Sequence, residues 1–342
     1  MIRNKIFILL LFLSIGCTKN DHPSDKPTQL DSYIFFDEAA VKTKGNLLEG
    51  TALPKARHTT YGVMGLRGTS NSQVFDVYKS GGAGTIGKNK YDNVAVLYRP
   101  EEGETFTYDK LVLWNNETHR FCAFYPYSAT CITAVIADDA ATNGVIDPYV
   151  SYTQPTTLAG MTDVLTAYTE ASYDAEKSQT DNLVGLNFNH RLFALDVHIE
   201  NSHTEKLTIT DAVLTVTVPD GAKLYFNGGV VTNDKTTEIV HNYVTNNIEL
   251  NSGNKINLND QNGTERSFLF LPCSSLDAGF TLSFINIWGK KVTFNVNSIT
   301  SPDSEGFIAG KKYTLTLKRK VIGGYVTFEP TVEDWTISDD VN

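Results

Sequence analysis

The sequence predicts an all-β protein built from two β-sandwiches in tandem. Short segments rich in Val, Ile, Thr, Phe and Tyr alternate with clusters of Gly, Asn, Asp and Ser along the 342 residues. This is the pattern of strands joined by polar turns. The length fits two domains of ordinary size, and the 41% of hydrophobic residues suffices for a core in each. The sequence shows no internal repeat of the length that solenoids and propellers need, which disfavours both.

Alternation of apolar and polar residues identifies the individual strands. Strands are predicted at residues 93–99, 110–114, 120–127, 183–200, 206–219, 266–272, 280–288, 291–299 and 311–321. Residues 158–178 have the most helical character, but their Thr and Tyr content favours a strand at 163–168 followed by a loop. Residues 183–200 are predicted to form one long strand.

The N-terminus is typical of a lipoprotein signal. Arg3 and Lys5 precede a mostly apolar run over residues 6–15, which Gly16 and Cys17 follow. The run is too short to span a bilayer core, which takes about 20 residues, so residues 1–16 predict a cleaved signal peptide. A small residue before the cysteine indicates that Cys17 is diacylated and held in outer-membrane lipid. An ordinary secretory signal with a buried Cys17 is the alternative.

Two polar stretches divide the rest of the chain. Residues 17–31 have little apolar content and carry Pro23 and Pro27, which predicts a tether. Residues 169–182 are again polar and are followed by strong alternation. We therefore predict an N-terminal β-sandwich over residues 32–181 and a C-terminal β-sandwich over residues 182–342.

Neither composition nor motifs support an enzyme, a cofactor or a nucleic-acid partner. Lys and Arg number 29 against 39 Asp and Glu, which gives a net charge of −10, and a phosphate-binding surface needs the opposite balance. Residues 82–88 resemble a glycine-rich phosphate loop, but a predicted strand follows them where such a loop opens a helix, so we expect a surface loop. The seven histidines form no H-E-x-x-H pattern and no serine lies in a G-x-S-x-G elbow, so His190, His198 and His203 are expected to be structural or exposed.

Cysteines and tryptophans leave alternatives open. Apart from Cys17, the sequence contains Cys122, Cys131 and Cys273, which allow one bridge at most, between Cys122 and Cys131, or three buried thiols. Three tryptophans could form a sugar-stacking platform, but at strand positions aromatic side chains more often pack in a core or at a strand end. They are Trp114, Trp288 and Trp335.

Four segments follow one another in a specific order. Trp114 precedes an aromatic strand that ends in Tyr-Pro at 121–126, and an Asp-Val-Leu-Thr-Ala strand follows at 163–167. Next come the alternating strand around His190 and, near the end, a Gly-Lys-Lys-Tyr strand at 310–313 with the late Trp335. Together with the lipoprotein signal, this order resembles the fimbrillin family of Bacteroidales, which comprises type V pilus subunits and Mfa-like lipoproteins.

The resemblance implies transthyretin-like β-sandwiches and a role in cell-surface fimbriae and adhesion, without catalysis. Members of the family are exported as lipoproteins, trimmed by a trypsin-like or arginine-directed protease, and joined to other fimbrial subunits by donor-strand exchange. Surface ligands of host or bacterial cells are further implied partners.

Residues 32–41 are expected to form the first strand, which donor-strand exchange displaces. Its apolar side chains are Tyr33, Ile34, Phe35 and Phe36. Removing the strand would expose an apolar groove and an unpaired sheet edge that another strand can fill. Burial of three such side chains at about 2 kcal/mol each would favour assembly by on the order of 6 kcal/mol before entropic costs.

The processing site is predicted directly after this strand. Lys44 lies where the family usually carries Thr-Arg followed by a small residue. Lysine at this position favours a trypsin-like protease over an arginine-specific one. Lys42 and Arg57 are the alternative sites.

Two other function classes fit the same sequence. A surface glycan-binding lipoprotein of a polysaccharide-uptake system would share the anchor and the tandem sandwiches. A lipid-anchored scaffold that does not polymerise would share them too. Within the fimbrial class, the sequence leaves stalk, tip and anchor roles open.

Replacing Cys17 with Ala should move the protein from the membrane fraction to the soluble fraction, because the thiol that carries the lipid is lost. Fractionation of cells and the intact mass of the purified protein measure this change. A variant that keeps the membrane partition and mass of the wild type would contradict lipidation at Cys17.

Overall fold

The fold was analysed in a computed structural model. It describes residues 34–37, 40–42, 60–68, 75–77, 94–99, 105–107, 114, 118–127, 129–135, 148–178, 181–244, 247–261 and 264–334. Over these residues the chain is almost entirely strand and turn, with a short 3-10 turn at Leu158–Gly160. The predicted all-β class is confirmed. No helix among the described residues is both long enough and apolar enough to cross a membrane.

The strands are numbered in chain order. They are β1 (Ala40–Lys42), β2 (Thr60–Gly68), β3 (Phe75–Val77), β4 (Val94–Arg99), β5 (Thr105–Thr107), β6 (Thr118–Tyr125), β7 (Ile132–Val135), β8 (Tyr149–Thr153), β9 (Leu165–Ala171), β10 (Asn187–His190), β11 (Phe193–Glu200), β12 (Leu207–Pro219), β13 (Gly221–Tyr225), β14 (Val230–Thr232), β15 (Thr236–Val244), β16 (Ile248–Leu250), β17 (Lys255–Asn257), β18 (Asp260–Gln261), β19 (Thr264–Glu265), β20 (Phe268–Phe270), β21 (Ser275–Ile285), β22 (Lys291–Thr300), β23 (Lys312–Ile322) and β24 (Tyr325–Asp334).

The first half of the chain supplies most of an eight-stranded sheet. Its order is β1-β10-β9-β6-β2-β4-β5, with β3 paired to β2. The neighbouring strands are antiparallel, apart from β1 and β10, which run parallel. Strand β1 therefore lies at one edge of this sheet.

The second half forms two five-stranded sheets that pack face to face. One has the order β17-β11-β23-β24 with β20 on β11, and the other has the order β15-β12-β21-β22 with β16 on β12. Phe328 of the first sheet packs against Phe284 and Phe294 of the second, with ring centroids 5.2 and 5.5 Å apart. These contacts and the alternating burial along β12 and β21 build a sandwich core.

A four-stranded sheet joins the two halves. Its order is β14-β13-β8-β7, so a hairpin from the second half continues a hairpin from the first. Strands β8 and β13 are antiparallel and pair from Tyr149 with Tyr225 to Thr153 with Gly221. Strand β10 also lies beyond residue 181 but pairs with β9. The division into 32–181 and 182–342 stays a prediction, and strand pairing connects its two parts.

The single strand predicted over 183–200 is wrong. The chain forms β10, leaves the first sheet at Arg191 and Leu192, and enters a different sheet as β11. Val184, Leu186 and Phe188 are buried at even positions. Leu195 and Val197 continue the core at odd positions. Apolar side chains thus change from even to odd positions, which moves them to the other face of a continuous strand. In this chain the shift occurs where the backbone changes sheet.

The other strand predictions that fall on described residues are confirmed, since each overlaps an observed strand. Of the predicted strand at 110–114, the structure describes Trp114, which is buried against Phe121 outside a strand. The bridge between Cys122 and Cys131 is not formed, and the described cysteines make no disulfide.

Gly62 gives a test of the eight-stranded sheet. It lies opposite Phe124 across the β2–β6 pair, and a Cβ at this position would lie 2.1 Å from Phe124 Cζ. Gly62→Ala should therefore lower the free energy of unfolding by about 1–3 kcal/mol, the usual range for overpacking. Urea denaturation of the wild type and the variant measures this difference in the free energy of unfolding.

The matched control is Gly279→Ala in β21, where the nearest atom to an added Cβ is Thr215 Cβ at 3.7 Å. This distance is ordinary contact, so the control should change stability by less than about 0.5 kcal/mol. Equal effects of the two substitutions would contradict the packing of Phe124 over Gly62.

Candidate functional site

The first-strand segment, residues 34–37 and 40–42, covers an edge of the eight-stranded sheet. The Val184 N–H donates to the Phe35 carbonyl at 2.8 Å, and the Asp37 N–H donates to the Val184 carbonyl at 3.0 Å. Further along, β1 pairs in parallel with β10, from Ala40 opposite Asn187 to Lys42 opposite Asn189. Main-chain hydrogen bonds therefore hold the segment along residues 184–189.

Side chains of the segment alternate between the core and the outside. Ile34 is 0% exposed and Phe36 is 4% exposed, whereas Phe35 is half-buried and Asp37 is exposed. Phe35 lies on the opposite face of the strand from Ile34 and Phe36. Tyr33 lies outside the described residues. Burial of Ile34 and Phe36 at about 2 kcal/mol each gives on the order of 4 kcal/mol.

Phe36 enters an apolar cluster that we call the first-strand groove. It is lined by Tyr61, Val63, Phe121, Val184, Leu186 and Phe188. The Phe36 ring meets Phe121 edge to face at 5.7 Å between centroids and Tyr61 at 6.4 Å. Such pairs are worth about 0.5–1.5 kcal/mol beyond the area that they bury, so Phe36 anchors the segment.

The first-strand groove is electrically neutral at physiological pH. Its lining is aliphatic and aromatic, and burial raises the pKa of the Tyr61 hydroxyl well above its ordinary value. The nearby Asp37 carboxylate raises the pKa of Tyr61 further. The residues that line the groove carry no formal charge, which suits an apolar strand.

Strand β10, which pairs with the first-strand segment, has few other backbone partners. Among the described residues it pairs with β9 at two positions, Asn189 with Thr166 and His190 with Leu165. Its remaining neighbour is the first-strand segment. Loss of this segment would leave the main chain along residues 184–189 without its edge partner and would open the groove.

Three of the segments that carry the family resemblance meet where β10 ends. His190 Nδ1 lies 2.7 Å from Asp163 Oδ2, and both side chains are buried. An added Cβ on Gly310, which has a φ of +78°, would lie 3.5 Å from His190 Cβ. The Gly310 N–H donates to the Leu192 carbonyl. These motifs are far apart in the sequence, and the fold brings them together in one junction.

His190 is buried in this junction, where its ring contacts the Asp163 carboxylate. Among the residues that the structure describes, no group of three or more His, Cys, Asp or Glu could hold a metal ion. His198 lies within β11. Its pKa is lowered to about 4 by burial, reinforced by Lys255 and Lys312.

Several predicted sites lie outside the described residues. They are Cys17, Lys44, Arg57, the glycine-rich loop at 82–88 and Trp335. Lys42 is the last residue of β1. The structure thus brings Ile34 and Phe36 into one groove, and lipidation and processing stay predictions. Trp114 and Trp288 do not form a shared platform, because Trp114 is buried and Trp288 is exposed.

Comparisons with known proteins agree with this architecture. A sequence profile described as fimbrillin-like matches residues 65–335. A fimbrial protein from Bacteroides vulgatus aligns with a TM-score of 0.57 at 16% identity, over 90% of this chain and 100% of that one. The fimbrial anchor protein Mfa2 from Porphyromonas gingivalis aligns with a TM-score of 0.42 at 10% identity, over 89% of this chain and 97% of that one. A search of curated proteins finds no match.

Phe36→Ala tests the contribution of the groove. The substitution should lower the free energy of unfolding by about 3–5 kcal/mol, the range for removing a buried phenylalanine. Phe35→Ala is the matched control, since the neighbouring ring lies on the outer face and should cost roughly 1 kcal/mol or less. Denaturant unfolding of the untrimmed protein gives both values. A larger loss of stability for Phe35→Ala than for Phe36→Ala would contradict the placement of Phe36 in the core and Phe35 on the outer face.

Proposed function

The chain belongs to the fimbrillin-like family, and from this premise we propose that it is a fimbrial subunit assembled by exchange of its first strand. The observation that carries the proposal is the pairing of the first-strand segment with residues 184–189, at an edge of the sheet, with Phe36 in the groove. An edge strand that contributes two buried side chains can be replaced without rebuilding the rest of the sheet.

The proposed route begins with export as a lipoprotein. The signal at residues 1–16 and the thiol of Cys17 place the precursor in outer-membrane lipid at the cell surface. Residues 17–31 then separate the anchor from the folded part. In this form the chain's own first strand fills the groove, so the precursor does not assemble prematurely.

Proteolysis after Lys44 is the proposed trigger. Lys44 lies two residues beyond the end of β1, so cleavage there separates the whole first-strand segment from the body of the subunit. Cleavage at Arg57 would have the same consequence. Cleavage at Lys42 would cut at the last paired residue of β1.

Assembly requires a strand from another subunit that matches the vacated groove. Ile34 and Phe36 are two residues apart, which places both side chains on one face of a strand. An incoming strand therefore needs apolar side chains at alternate positions and free main-chain groups for residues 184–189. The groove's neutral lining favours aliphatic or aromatic side chains over charged ones.

Limited trypsin treatment tests this route. Trypsin should release the segment that ends at Lys44 and leave a stable core, which N-terminal sequencing and intact mass identify. The trimmed core should then form a ladder of oligomers that resist mild detergent, because an inserted strand leaves only when its ladder of hydrogen bonds breaks.

The control is a variant in which Gln replaces Lys42, Lys44, Lys55 and Arg57, the trypsin sites from the end of β1 to the start of β2. It should keep its first strand and stay monomeric under the same treatment. A trimmed wild-type core that remains monomeric at high concentration would count against self-assembly, as would oligomers formed equally by the uncleaved variant.

A further inference from the structure

Two hairpin turns of the second half bring aromatic side chains together at one end of the sandwich. Residues 286–290 connect β21 to β22, and residues 323–324 connect β23 to β24. Strand β23 begins beside the junction, where Ala194 pairs with Lys312, and runs away from it. The turns therefore lie at the end of the sandwich remote from His190 and the first-strand groove.

The turns expose a compact apolar patch that we call the aromatic tip. Trp288 is 58% exposed, Ile322 is 64% exposed and Tyr325 is 72% exposed. Ile287, in the same turn as Trp288, is also exposed, and Ile322 and Tyr325 are cross-strand partners. These four belong to the nine large hydrophobic residues that are exposed in the described part of the chain. Clustered exposure of this kind marks binding surfaces, whereas scattered apolar residues do not.

The two rings are held in place by their turns. Their centroids are 6.2 Å apart with the planes at 66°. Gly323 and Gly324 have φ values of +60° and +84°, as the tight turn between β23 and β24 requires. An added Cβ on Gly324 would lie 3.9 Å from Trp288 Cη2, so the indole packs beside the opposite turn.

Asn286 fixes the other turn. Its side-chain oxygen accepts hydrogen bonds from the Trp288 N–H at 3.1 Å and the Lys290 N–H at 2.9 Å. The Gly289 N–H donates to the Asn286 carbonyl at 3.0 Å. The aromatic tip is therefore organised before any ligand arrives, which lowers the entropic cost of binding.

The size of the aromatic tip favours a small ligand unit over a protein. Four side chains make up the aromatic tip, whereas each partner of a stable protein interface contributes roughly 20–30 residues. A flat ring stacked on Trp288, with Tyr325 as a side wall, would cover most of the aromatic area.

The charges around the aromatic tip are close to balanced. Lys291 pairs with Asp211, and Lys320 pairs with Glu329, and the exposed Lys290 of the turn adds one positive charge. The chain as a whole carries −10 and would repel an anionic bilayer or an acidic polymer. A pyranose ring has an apolar C–H face that stacks on aromatic rings, and its hydroxyl groups stay in contact with water and with the polar rim.

We propose that the aromatic tip binds a neutral glycan through stacking of a sugar ring on Trp288. The site goes beyond strand exchange and does not depend on it, since the aromatic tip and the first-strand groove share no residue. It would give a fimbrial subunit a surface for adhesion at the end remote from its assembly groove.

Affinity electrophoresis tests the proposal with the full mature chain in native gels that contain yeast mannan, dextran, laminarin or soluble starch. The wild type should be retarded by at least one of these polysaccharides. Trp288→Ala and Tyr325→Ala should each weaken retardation about tenfold or more, the scale of one lost stacking contact. Trp288→Phe should restore part of it, because the ring remains.

Val240→Ala is the matched control, since Val240 is also exposed but lies on β15, away from the turns. It should bind as the wild type does. Absence of retardation in every polysaccharide would overturn the proposal, as would equal retardation of wild type and Trp288→Ala. Co-sedimentation with phospholipid vesicles that depends on Trp288 would overturn it in favour of a lipid surface. The oligomer ladder after trypsin should be unchanged in Trp288→Ala, so failure of glycan binding and failure of assembly are separate results.

Discussion

At Arg191 and Leu192 the chain passes from the eight-stranded sheet to a five-stranded sheet. The arrangement of both halves depends on the hydrogen bonds that these two residues make. The Arg191 N–H donates to the Val164 carbonyl, and its guanidinium donates to the carbonyls of Gly228 and Gly229 at 2.9 and 2.7 Å. Burial lowers the pKa of this guanidinium, a sign of the desolvation cost that the two carbonyl bonds offset. The Leu192 carbonyl accepts from Gly310, so strands from distant parts of the sequence are bound to one crossing point.

The same crossing point determines the surroundings of the first-strand groove. Residues 184–190 run between β9 on one side and the first-strand segment on the other. Because the junction holds the end of β10, this strand keeps its position through bonds that the first strand does not supply. A groove of this construction combines an outer edge strand with an inner wall that is fixed by other bonds. The proposed strand exchange needs such a wall, since an unfolded groove could not select an incoming strand.

Sequence alone predicted the strands better than their partners. Alternation of period two reports which side of a strand is buried, and it located β12, β21, β22 and β23. It does not report which sheet a strand joins, so the pairing of β8 with β13 could not be foreseen. The change of sheet at residue 191 did leave a signal, because the apolar phase shifts between His190 and Phe193. For the candidate sites, alternation would have separated Phe36 from Phe35. Trp288 was predicted at the end of a strand over residues 280–288, whereas it lies in the turn after β21, where Gly289 has a positive φ.

The four-stranded sheet shared by the two halves affects how the molecule resists bending and twisting. The covalent chain passes between the halves near residue 191, and the β8–β13 ladder forms a second, hydrogen-bonded link between them over five paired positions. Two separate links resist bending and twisting far better than one, because rotation about the first must stretch the bonds of the second. In the proposed fibre of such subunits, tension would therefore pass through both links within each subunit, and bending would occur in the contacts between successive subunits.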